Sequence, residues 1–76
     1  MKAQVEITDT FGGEANYSWV NRYEFDTEGL SDREIIFKAR KLLGLTGVKT
    51  VRSDLGDTIV WDVQGECVRA FLTLQG

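Results

Sequence analysis

Between Ile7 and Phe25 the chain reads Ile-Thr-Asp-Thr-Phe-Gly-Gly-Glu-Ala-Asn-Tyr-Ser-Trp-Val-Asn-Arg-Tyr-Glu-Phe: a strand-like run, a glycine pair, then a run rich in aromatics. Four of the eight aromatic residues of the chain fall between Tyr17 and Phe25. In 76 residues that density is a strong constraint. A chain this short buries only about 60% of the surface its unfolded form exposes, and each large aromatic buries roughly 150–250 Å². The aromatic run is therefore expected to carry much of the core.

The periodicities around that run predict a single α+β domain over residues 1–76. Ala3, Val5 and Ile7 alternate with Gln4, Glu6 and Thr8, the period of a half-buried strand. The connection is expected from Asp9 to Asn16, with Gly12-Gly13 supplying positive φ. A second strand follows from Tyr17 to Asp26, with Tyr17, Trp19, Asn21, Tyr23 and Phe25 on the face expected to be buried. Ser31-Asp-Arg-Glu34 then forms a capping box, with Leu30 and Ile35 as a hydrophobic staple. Gly44 is placed to end the helix in a left-handed conformation. A helix is predicted over Asp32 to Leu43, burying the stripe Ile35, Ile36, Ala39, Leu42 and Leu43.

The remainder reads as strands. Val48 to Ser53 is a short edge strand, and Asp54-Leu-Gly-Asp57 is a turn. Thr58 to Val63 and Glu66 to Leu74 flank Gln64-Gly65, the pattern of a two-residue hairpin. That register sets Val63 against Glu66, Trp61 against Val68 and Ile59 against Ala70. Ile59, Trp61, Val63, Val68, Ala70 and Leu72 then share one face suited to a helix. The order ββαβββ predicts two layers, one helix on a mainly antiparallel sheet of about five strands.

Reactive side chains are few. The chain has no histidine, which removes the usual general base near neutral pH and the commonest zinc ligand. Its one cysteine, Cys67, forms no internal disulfide and reads as an unreactive strand residue. No cofactor and no metal site are expected. The carboxylates Asp9 and Glu14 beside Asn16, and Asp54 with Asp57, fit local turn bonding better than chemistry. Phe11-Gly-Gly-Glu14 joins two strands, whereas a phosphate loop leads into a helix. With no disulfide framework, no apolar run behind Lys2 and no membrane-length apolar segment, a cytoplasmic location is expected. A net charge of −3 disfavours non-specific duplex binding over the whole surface.

Two surfaces stand out as interaction candidates. On a helical wheel Phe37 points away from the apolar stripe, with Arg33, Arg40 and Lys41 beside it. An aromatic anchor with a cationic rim is a composition enriched at binding hot spots. The sheet face away from the helix is expected to carry Val20, Val60 and Phe71 among Ser18, Arg22, Glu24, Thr58, Arg69 and Thr73. Val20, Val60, Arg69 and Phe71 make it a second candidate, open to homodimer formation.

The segment Ile7 to Phe25 resembles small uncharacterised proteins of bacteriophages and related mobile elements that share an ITDTFGGEANYxWVxRYE-like stretch. The resemblance covers about a quarter of the chain and implies a phage or prophage setting, with no assigned chemistry. Small accessory proteins of that setting often bind a host protein, including host-defence complexes. The preferred expectation is thus a non-enzymatic accessory protein that binds a host or phage protein as a monomer or homodimer. The first alternative is a weak nucleic-acid binder using Arg33, Lys38, Arg40 and Lys41. The second is a small carboxylate-based hydrolase or nuclease using Asp9 and Glu14.

Overall fold

A computed structural model of the chain describes residues 1–75. The elements are β1 (Lys2–Phe11), β2 (Glu14–Asp26), α1 (Asp32–Leu42), β3 (Thr50–Leu55), β4 (Thr58–Val63) and β5 (Val68–Gln75). The strands form one sheet in the order β2-β1-β5-β4-β3, every neighbouring pair antiparallel. With α1 on one face this is the two-layer α+β arrangement and the ββαβββ order that the periodicities predict. No helix among the described residues is long and apolar enough to cross a membrane.

The core follows from the alternation of β1. Ala3, Val5 and Ile7 stand between Phe25, Tyr23 and Asn21 of β2 and Leu74, Leu72 and Ala70 of β5. Directly opposed residues share a face, so these positions all point towards α1. Trp61 and Val63 of β4 complete that surface, and Ile35, Ala39 and Leu43 close it from the helix at a spacing of four. Leu42, expected in the same stripe, is exposed, and Ile36 is only partly buried. The buried helix face is therefore narrower than the apolar pattern suggests.

The ends of α1 form as the sequence predicts. Ser31 Oγ accepts from the Glu34 amide at 3.2 Å, and Glu34 Oε1 accepts from the Ser31 amide at 3.1 Å. At the other end Gly44 adopts φ 73°. Its amide donates to the Lys41 carbonyl at 3.2 Å, while the Leu45 amide donates to the Arg40 carbonyl at 2.8 Å. This is the Schellman pattern, and it turns Leu45 into the core.

Three expectations about the strands need correction. β1 and β2 extend into the predicted loop, leaving Gly12 and Gly13 (φ 63° and 84°) as a two-residue turn. Two left-handed residues match the twist of a hairpin, which is why the strands can run on. Between β4 and β5 the connection is four residues long, and the pairs are Trp61 with Ala70 and Ile59 with Leu72. The register thus differs by two positions from the one expected. An even shift keeps every side chain on its face, so the face assignment survives the error. Finally, β3 is an edge strand as expected, yet it runs to Leu55, and only Gly56 and Asp57 form the turn.

The fourth correction concerns the aromatic run. Phe25 is buried, but Trp19 and Tyr23 are 43% and 40% exposed and Tyr17 is exposed as well. β2 is the edge of the sheet, and of its aromatics only Phe25 joins the cluster that the helix closes. The alternation is also broken. Thr8 pairs with Val20 and Thr10 with Ala15, so two steps along β1 face five along β2, an excess of three. An odd excess turns β2 over, and Tyr17 takes φ 56° to accommodate it.

Candidate docking surface

α1 presents Phe37 on the side opposite Ile35 and Ala39, and the side chain is 64% exposed. Around it Leu30, Arg33, Glu34, Lys38, Lys41 and Leu42 line an open, shallow depression. Its floor is apolar and its rim carries three cations and one carboxylate. Glu34 is held by the Ser31 backbone and side chain, which keep its pKa below the ordinary carboxylate value. Among the described residues the ion pairs lie elsewhere: Arg22 with Glu6 at 2.7 Å, Arg52 with Asp54 at 2.7 Å and Arg69 with Asp62 at 2.6 Å. The Lys38 amine sits 5.0 Å from the centre of the Phe25 ring, so its stem covers the core while its charge stays on the rim.

Arg40 does not belong to this rim, although the helical wheel placed it beside Phe37. Its Nη1 donates to Thr50 Oγ1 at 3.0 Å, and its Nη2 donates to the carbonyls of Leu45 and Val48 at 2.8 Å each. The guanidinium also lies 5.7 Å from the Trp61 ring centre. Arg40 therefore fastens the loop after α1 to the start of β3. The sequence-predicted cluster reduces to Phe37, Arg33 and Lys41, joined by Lys38.

On the open face of the sheet, Val60 pairs with Phe71, Phe71 with Glu6, and Glu6 with Arg22. Val20 pairs with Thr8 and Thr8 with Arg69. The four residues expected there, Val20, Val60, Arg69 and Phe71, do share the face. Val60 is buried beneath its neighbours, however, and Arg69 is engaged by the Asp62 carboxylate and the Gly13 carbonyl at 3.0 Å. The hairpin tip bends back to reach Arg69, a consequence of the odd excess in β2.

That bend is organised by Asp9. Its Oδ2 accepts from Asn16 Nδ2 at 3.0 Å and from Ser18 Oγ at 2.5 Å, and its Oδ1 accepts from the Ser18 amide at 3.0 Å. These donors, Ser18 first, lower the Asp9 pKa to about 2. Beside it, buried Thr8 donates to the Trp19 carbonyl at 2.8 Å, satisfying a group the irregular pairing leaves over. The phenol of Tyr17 comes to the Glu6 carboxylate on the open face, which raises its pKa. Asp9 is thus occupied as a brace, and among the described residues no group of three or more acidic or thiol side chains is placed to hold a metal ion. Cys67, expected in a strand, is exposed in the β4–β5 loop, where its carbonyl accepts from the Thr10 amide at 2.9 Å.

The surface that sequence reasoning missed is the exposed aromatic set of the first hairpin: Phe11 at the tip, Tyr17, Trp19 and Tyr23. Asn21 was the available signal, since a polar residue stands midway along the face expected to be buried. No family model, curated protein or solved structure matches the chain.

Proposed function

We propose that this protein acts by binding another protein, without catalysis of its own, and that it docks through the outer face of α1. The observation that carries this reading is Phe37, a large aromatic held out from the helix at the centre of an apolar depression. Arg33, Lys38 and Lys41 surround it without intrachain ion pairs among the described residues. A rigid helix that displays one aromatic anchor loses little side-chain entropy on docking, the condition for a hot spot. In the setting implied by the Ile7–Phe25 resemblance, the protein is a phage- or prophage-type accessory factor whose partner is a host protein. Phe37→Asp, checked for native circular dichroism, is expected to lower capture of that partner from host lysate by at least about 30-fold, or roughly 2 kcal/mol. Undiminished capture would remove α1 as the docking face.

A second reading has its own support. Exposed Trp19 and Tyr23 give β2 aromatic side chains of the kind on which single-stranded nucleic acids stack. Titration with a short single-stranded oligonucleotide would then quench Trp19 fluorescence, with an affinity that falls steeply with salt. No quenching at low salt would dismiss this reading.

A further inference from the structure

The sheet has two free edges, and they differ. β2 is broken by its irregular pairing and the left-handed Tyr17, a device that blunts an edge against other strands. β3 is short but regular through all six residues, has no proline, and is exposed from Val51 to Leu55. Its unpaired groups can be identified. The Lys49 carbonyl accepts from the Gln64 amide, so odd-numbered residues of this strand turn their backbone groups towards β4. The Leu55–Thr58 pair that closes the two-residue turn agrees with this parity. The backbone donors and acceptors of Arg52 and Asp54 consequently face outward.

We propose that β3 pairs antiparallel with β3 of a second copy of this chain, about a two-fold axis through Ser53. The strand reads the same chemistry in both directions around that residue. Arg52 and Asp54 are ion-paired within each chain at 2.7 Å. Across the axis they fall opposite the second copy's Asp54 and Arg52, forming a four-charge cluster of alternating sign on the helix side of the sheet. Val51 falls opposite the second copy's Leu55 on the open face. Both backbone bonds of each Arg52–Asp54 pair form, four in all, and Ser53 meets its own copy at the closely spaced, non-bonded position. Moving the centre by one residue sets Arg52 against Arg52 or Asp54 against Asp54, which like-charge repulsion disfavours. Val51 and Leu55, both exposed, lose their solvent contact to each other. The occupant is therefore a second copy, selected by charge and apolar complementarity within one strand. The contact is smaller than the roughly 1,200 Å² of a stable interface, so the association is concentration-dependent. It leaves the outer face of α1 free and does not rest on the docking role of Phe37.

Disulfide trapping tests the register. In a Cys67→Ser background, Ser53→Cys places two thiols across a closely spaced pair, with Cα atoms about 4.5 Å apart and within disulfide range. Under mild oxidation it is expected to form a covalent dimer faster than Val51→Cys, whose thiols lie roughly 13 Å apart in this register. Mixing Val51→Cys with Leu55→Cys should yield the heterodimer. Charge exchange tests the recognition. Arg52→Asp and Asp54→Arg are each expected to raise the dimer dissociation constant at least about tenfold by sedimentation equilibrium, and the double exchange should restore it. Melting of each variant at low concentration controls for folding. A wild-type chain still monomeric at about 1 mM would overturn the proposal. So would a dimer that Ser53→Cys traps no faster than Val51→Cys, because another surface would then be responsible.

Discussion

Arg40 and Asp9 show how single side chains hold irregular backbone in place. Arg40 satisfies two loop carbonyls and the Thr50 hydroxyl from one guanidinium. Arg40→Ala leaves those carbonyls without a charged donor, and a loss of about 2 kcal/mol is expected in denaturant unfolding. Lysine cannot reproduce the fork, so Arg40→Lys should recover less than half of it. Asp9 makes stability at the hairpin tip depend on pH. Its folded pKa, about 2, lies below the ordinary 3.8, so its contribution is complete above the unfolded value and is lost as pH falls through about 2. A carboxyl carbon titration by NMR should therefore give a midpoint near 2. Amide protection at Ser18 should persist at pH 4 and disappear on further acidification. A midpoint at the ordinary value would mean that the brace is not formed in solution.

At the scale of elements, α1 carries its own termination signals. Ser31→Ala removes the hydroxyl arm of the capping box, leaving the Glu34 amide without its cap, and is expected to cost about 1 kcal/mol. Gly44→Ala is expected to cost a similar ~1 kcal/mol, because alanine is strained at φ 73° while nothing crowds the added methyl. The two effects should add in a double variant, since the sites lie at opposite ends of the helix. These elements were legible because caps and glycine terminators act within four or five residues of chain. The β4–β5 register was less so. Gln64-Gly65 invites a two-residue turn, and the choice of a four-residue loop depends on β1, whose Thr10 amide bonds the Cys67 carbonyl across the sheet.

Across the whole molecule, the sheet is wider than its single helix. The described residues extend 38 × 22 × 21 Å, and the helix closes the core around Trp61, Leu72 and Phe25 while the first hairpin runs beyond it. Apolar side chains on that hairpin are consequently left for solvent or for partners. Hydrogen exchange should find the slowest amides in the central strands β1 and β5, and faster exchange in the bulged segment of β2. Uniform protection across all five strands would mean that a partner surface, absent from the isolated chain, covers the edge.

The amino-acid pattern alone determined the element order, the capped helix, the outward Phe37 and the division of β4 and β5 into a helix face and an open face. Each rests on side-chain period or on interactions between residues close in the chain. Tertiary structure decided which apolar positions are buried, because burial depends on where an element lies in the sheet as well as on its period. Trp19 and Tyr23 have the sequence of core residues and the position of edge residues, and Arg40 has the sequence of a surface cation and the contacts of a structural brace. A strand at the rim of a one-helix sheet has no second layer to meet. No local pattern along β2 reports that, of its aromatics, only Phe25 enters the core cluster closed by the helix.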